Sequence, residues 1–158
     1  MADEKKPVNL PFTSFNFEIL LSLENDNSVI CQAAFSECDG LEMSMEIKTI
    51  KEGGNNAGPI HMIGPVSYGQ LTLKRGMTDS FDLWDWFDKV RQRDKSGYYA
   101  SGKVIMLSSD NKEQAAFVLK GCLPVKLKAP SLNAKEGMVA IEEMTIAYQS
   151  LNIMRPDK

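Results

Sequence analysis

Histidine is almost missing from this chain, and His61 stands alone. Any His-dependent triad or zinc site would have to use it. It sits between Ile60 and Met62, with no second histidine to complete a zinc set and no cysteine close in sequence. No catalytic residue, metal or cofactor is therefore expected, and His61 reads as a loop residue with a structural or interface role. Cysteine is also sparse. Cys31, Cys38 and Cys122 form an odd set without metal-type spacing, and they read as reduced, half-buried thiols. Long hydrophobic runs are absent: no segment approaches the ~18 apolar residues of a membrane span, and the opening MADEKKPVNLPF lacks the apolar centre of a secretory signal. The expectation is a chain made in the cytoplasm without a signal peptide and with no direct membrane anchor.

An excess of basic charge is missing too. The formal net charge is -3 and charged residues make up 25% of the chain, which argues against both intrinsic disorder and a whole-chain nucleic-acid footprint. The glycine-rich run EGGNNAG lacks the lysine of a phosphate-binding loop and leads into a strand, where that motif requires a helix. Glu142 and Glu143 point to opposite sides of a strand and so do not form a matched acid and base. The basic segments LKRG and VKLK read as solvent-facing. No enzyme is predicted, and the 158 residues suit a single domain, 1–158.

What is present is alternation. Residues 14–23, SFNFEILLSL, place Phe15, Phe17, Ile19 and Leu21 on one side, and 29–38 reads as the hairpin partner across the turn ENDNS. The cleanest pattern is LEMSMEIKTI, 41–50, with Leu41, Met43, Met45, Ile47 and Thr49 on one face and Glu42, Ser44, Glu46 and Lys48 on the other. Glycines and prolines make 51–67 a loop, long enough to suggest function. A strand at 68–74 follows, then hairpin strands 103–109 and 114–122, an extended stretch 123–129, and a closing strand 138–151. One helix interrupts them, 79–94, with Leu83, Trp84, Trp86, Phe87 and Val90 on its apolar side and capping oxygens from Thr78, Asp79 and Ser80. The sum is a mainly β domain with one flanking helix.

Four segments stand in order along the chain: FNFEILL; FSECDGLEMSMEIKTIKEGGNN; YGQLTLKRG followed by a helix containing LWDWF; and GCLPVKLKAPSLNAKEGMVAIEEMTIAYQSL. In this order they resemble the tail-tube (inner tube) protein family of contractile phages and of phage-tail-like extracellular contractile injection systems. Together they cover nearly the whole chain.

The resemblance implies two packed antiparallel sheets, a sandwich or barrel-like fold, with one flanking α-helix. It implies six copies per ring, one sheet of each joining its neighbours in a β-barrel around a lumen, and rings stacked into a tube driven through a target envelope by a sheath. Glu42, Ser44, Glu46 and Lys48 become candidate lumen residues, with Met43, Met45 and Ile47 packed into the subunit core. Lys51, Glu52, Gly53, Gly54, Asn55, Asn56 and His61 become a candidate inter-subunit or inter-ring loop, and 1–13 an extended N-terminal arm. Implied partners are further copies of the chain, a sheath protein, baseplate and tube-terminating proteins, and a lumen cargo of protein effector or DNA. The alternatives are a tube-initiator ring near the baseplate, or a free cargo-binding ring related to type VI secretion tube proteins.

Overall fold

The computed structural model describes residues 11–12, 15–51, 53–54, 57–93 and 98–156. The alternating segments become strands β1 (Phe17–Leu23), β2 (Val29–Ala33), β3 (Glu37–Asp39), β4 (Met43–Ile50), β5 (Ile60–Tyr68) and β6 (Gln70–Gly76). Helix α1 (Asp82–Arg91) follows, then β7 (Ala100–Leu107), β8 (Glu113–Lys128), β9 (Ile141–Ala147) and β10 (Ser150–Met154). Every pairing is antiparallel, along the path β2-β1-β7-β8-β9-β6-β3 with β10 also on β8.

Strand β8 turns this path into two layers. Up to Cys122 it pairs with β7 on one side, and β10 pairs with it at 116–120. From Leu123 onward only β9 accompanies it among the described residues. The first layer is β10-β8-β7-β1-β2, and the second is the C-terminal part of β8 followed by β9, β6 and β3. Between them lies one apolar cluster built from alternate residues of both layers: Ile19, Leu21 and Leu23; Leu71 and Leu73; Val104; Leu119; Met144 and Ile146. Burying a side chain of this kind contributes about 1.5–3 kcal/mol each.

Helix α1 closes the cluster with Leu83 and Trp86, both buried, while Phe87 and Val90 pack at its margin. Trp84 departs from the predicted apolar side. At about 100° per residue it sits a quarter-turn from Leu83, so it is half-buried on the helix flank, where its indole N–H donates to Glu142 at 2.9 Å. The helix is also shorter than predicted. Its N-cap is Phe81, which makes no side-chain cap. Thr78 Oγ1 instead accepts from the Ser80 amide, and Asp82 Oδ1 accepts from the Leu83 amide at 2.8 Å.

Other boundaries moved for identifiable reasons. The stretch 29–38 divides, because β2 stays with β1 whereas β3 crosses to pair with β6. The closing strand breaks at Tyr148 and Gln149, opposite the bend in β8, and so serves both layers. Most of the predicted N-terminal arm lies outside the described residues.

Candidate functional site

Strands β3 and β4 run on from one another, as do β5 and β6, so 37–76 forms one long hairpin. Its base belongs to the second layer through Glu37↔Lys74 and Asp39↔Thr72. Among the described residues its outer part, β4 with β5, has no other sheet partner, and it leaves the body as an arm. All of β4 is exposed. The predicted loop 51–67 therefore contracts to the turn between Ile50 and Ile60, and His61 is a strand residue opposite Thr49. Gly64 and Pro65 are tolerated because the ladder shifts register between Met45 and Ile47, opposite them. Proline needs no amide partner at such a bulge, and a Cβ on Gly64 would lie 2.5 Å from the Glu46 carbonyl.

The root of the arm is held firmly. Gly40 adopts φ 98, and a Cβ there would overlap the Gln70 carbonyl at 1.9 Å, so only glycine fits. Buried Tyr148 donates its hydroxyl to the Gly40 carbonyl at 2.7 Å and accepts from the Glu42 amide at 3.0 Å. Its ring packs at a tilt against Tyr68, with centroids 5.7 Å apart. Alternation restarts at this kink: Cys38 and Leu41 both pack on the core, and so does Tyr68. The inward face of the body consequently continues onto the arm as Met43, Met45, Ile47, Ile63 and Val66, past the point where the body ends.

Those five side chains correct the expectation that Met43, Met45 and Ile47 fill the subunit's own core. They are 61%, 52%, 64%, 81% and 43% exposed respectively, because among the described residues no second layer reaches over the arm. Their exposed area is on the order of 500 Å², in the upper part of the range for the largest apolar patch of a monomer, a size that often marks an interaction surface. The opposite face carries Glu42, Ser44, Glu46 and Lys48 with Ser67, and Ser44 Oγ lies 2.9 Å from Ser67 Oγ. Nearer the tip this face also turns apolar, with Ile50, Ile60 and Met62 exposed. Lys51, Gly53 and Gly54 lie at the tip, whereas Glu52, Asn55 and Asn56 lie outside the described residues.

The polar face of the arm is continuous with the outward face of the second layer. There, one cross-strand row alternates in sign, Glu37, Lys74, Glu143 and Lys128, and the next runs from acid to base across two threonines, Asp39, Thr72, Thr145 and Lys126. Among the described residues, the layer's two edges, β3 and β8 beyond Cys122, have no partner on their outer sides. The arm leaves the Gln70, Ala147 and Leu123 end of this layer, and the connection 129–140 leaves the other end with Leu132, Met138 and Val139 exposed.

Sequence reasoning missed the polar cluster beneath α1. Arg75, read as solvent-facing, is 7% exposed, and Glu142 is 1% exposed. Arg75 Nε donates to Glu142 Oε1 at 2.6 Å, its Nη2 donates to Asp82, and Nη1 reaches Cys31 Sγ at 3.3 Å. Its guanidinium also lies over the Phe35 ring, 5.4 Å from the centroid. Burial opposes the Arg75 charge, but Asp82 and Glu142 outweigh it and raise the pKa. Burial likewise pushes Asp82 up, yet Arg75, Cys31 and the Leu83 amide hold it below the ordinary carboxylate range. The signal available in the sequence was the spacing of Arg75, two residues after buried Leu73 on a strand.

Burial drives all three thiols up to about 12, for Cys31, Cys38 and Cys122 alike. At pH 8 roughly one in ten thousand such groups is thiolate. Intact-mass analysis after brief iodoacetamide treatment should find the folded chain unmodified and the denatured chain carrying three adducts. Rapid modification of the folded chain would show that these sites open readily. Among the described residues no group of side chains could hold a metal ion, and no helix is long and apolar enough to cross a membrane.

Known structures share this arrangement. A chain of the anti-feeding prophage baseplate, resolved with six-fold symmetry, is 25% identical with a TM-score of 0.79, covering 93% of this chain and 97% of that one. A chain of the sheath-tube complex of PVC, an extracellular contractile injection system, in its extended state is 17% identical with a TM-score of 0.77, covering 94% and 95%. A chain of the anti-feeding prophage tube-terminating cap is 17% identical with a TM-score of 0.78, covering 99% and 100%. No curated protein matches the sequence. The fold is that of a contractile-injection-system tail tube protein, a structural component of a phage tail or tail-like particle. Within that class, the chain belongs to the family of the T4-like virus tail tube protein gp19, whose model matches residues 13–152.

Proposed function

We propose that six copies close into a ring through the second layer and that rings stack into a hollow tube. The observation that carries this reading is the arm, whose apolar face continues the core surface beyond the body and so needs the body of another copy to cover it. Four strands from each of six copies give a wall of about 24 strands; at a spacing of about 4.8 Å and a tilt of about 35–45° its backbone diameter is roughly 45–50 Å. The charged rows and Glu42, Ser44, Glu46 and Lys48 line the lumen. Its mixed signs suit a protein or nucleic-acid cargo that must slide without sticking. The arm tip, with Lys51, Gly53, Gly54 and His61, reaches the next copy or the next ring. Since arm and 129–140 connection lie at opposite ends of the layer, stacking is head-to-tail and open-ended. The outer surface faces a sheath, and the tube's ends meet baseplate and terminating proteins.

A second reading, a ring placed next to the baseplate, is favoured by the 25% identity to a baseplate-structure chain against 17% for the sheath-tube and cap chains. Negative-stain electron microscopy of the purified protein tests both. Stacked tubes are expected from the first, and single six-fold rings that never lengthen from the second. A chain that stays monomeric and is absent from particles overturns both.

A further inference from the structure

The two free edges of the second layer carry opposite charge on the polar face. Along β3 and β4 that face presents Glu37, Asp39, Glu42 and Glu46 before its first base, Lys48; Glu37 also has Lys74 at 3.5 Å but keeps 57% of its side chain exposed. Along the other edge, β8 from Leu123 to Lys128 presents Lys126 and Lys128, both exposed, and no acid. Thr145 and Glu143 stand opposite them in β9, alternating with buried Met144 and Ile146, which fixes both lysines on the same face as the acids.

Direction fits as well as charge. Three successive antiparallel pairings separate β3 from β8, so the edges run in opposite senses. When the β3 edge of one copy meets the β8 edge of the next, the new pair is antiparallel and the ladder pattern continues unbroken. We infer that charge selects the partner when this sheet closes the ring: Lys126 and Lys128 on the β8 edge of one copy recognise the acids Glu37, Asp39, Glu42 and Glu46 on the β3–β4 edge of the next. This rests on the ring reading above and adds to it the side chains that decide which edges meet. The matched signs favour head-to-tail joining and oppose two like edges meeting. The match does not depend on one register, because acids recur along the whole β3–β4 edge.

The test uses two variants of the full chain. Lys126→Glu with Lys128→Glu gives a protein with two acidic edges, and Glu37→Lys with Glu42→Lys and Glu46→Lys gives one with two basic edges. All five positions are exposed, and circular dichroism should match the parent. Each variant alone is expected to lose ring assembly by at least about 100-fold in sedimentation velocity. Mixed in equal amounts, with one variant carrying a mass tag, they are expected to form rings again, with native mass spectrometry finding three copies of each. Rings from either variant alone at the parent's concentration, or a mixture that stays monomeric, would overturn the seam. Rings of the unmodified protein should also weaken several-fold as salt rises from about 50 to 500 mM, since screening shortens the reach of these charges; no change would count against the inference. An unmodified protein that forms no rings in the same buffer sinks the ring reading itself.

Discussion

Placing a charge pair at Ile47 and Ile63 should abolish assembly while leaving the monomer as stable as before. The two residues face each other across the arm and are 64% and 81% exposed. Ile47→Lys with Ile63→Glu keeps opposite charges across the strand pair, so the hairpin itself is not strained. Substitutions at exposed positions of this kind shift stability by roughly 0.5 kcal/mol or less. In an assembled ring, however, each isoleucine buried contributes about 1.5–3 kcal/mol. Losing both weakens each contact by about 3–6 kcal/mol, or on the order of 10² to 10⁴ in the concentration needed to assemble. Light scattering or electron microscopy should find no rings at concentrations where the parent forms them, with an unchanged thermal midpoint. Normal tubes from this variant would mean that the apolar face of the arm stays in water.

Arg75→Met is expected to act on folding instead. The substitution strands Glu142, 1% exposed, without its cation, and orphaning one member of a buried ion pair costs about 3–5 kcal/mol. For a domain whose whole stability is about 5–15 kcal/mol this is a large fraction, and the urea midpoint should fall by roughly 1.5–2.5 M. Adding Glu142→Leu should recover much of the loss, because it removes the orphaned charge. A loss under about 1 kcal/mol would show that Glu142 reaches solvent when unpaired. The same cluster gives an acid response. Asp82 is held below its ordinary pKa in the folded chain, so its contribution is present above the unfolded value near 4 and fades as pH falls through the folded one. Fluorescence of Trp84 and Trp86 should report loosening of α1 in that acid range before the strands unfold.

Alternation in the sequence was enough to place β1, β4 and β6, because one face of each is apolar, and a helical period put Leu83 and Trp86 on the buried side of α1 but also put Trp84 there, which lies on its flank. Alternation could not tell which partner covers an apolar face. Met43, Met45 and Ile47 look the same in sequence whether a second layer lies over them or another molecule does, and the exposed arm was read as core for that reason. The loop 51–67 was misjudged because breakers were counted without their place in a ladder, where Gly64 and Pro65 fall at a bulge. Arg75 was misread because its partners, Asp82 and Glu142, lie 7 and 67 residues away. Tyr148 carried no local sign that it pins the arm, since its contacts at Gly40 and Glu42 form only when the closing strand crosses the layer.

Strand β8 has a mechanical consequence. Its sixteen residues belong to both layers, and β9 with β10 follow it along one side through the bend. A force directed along the strands of one layer therefore cannot peel that layer from the other one bond at a time. It must slide β8 past its neighbours and strain many hydrogen bonds together. In the proposed tube, whose strands tilt about 35–45° from the axis, a lengthwise thrust has at least as large a component along the strands as across them, and that component is shared by many hydrogen bonds at once.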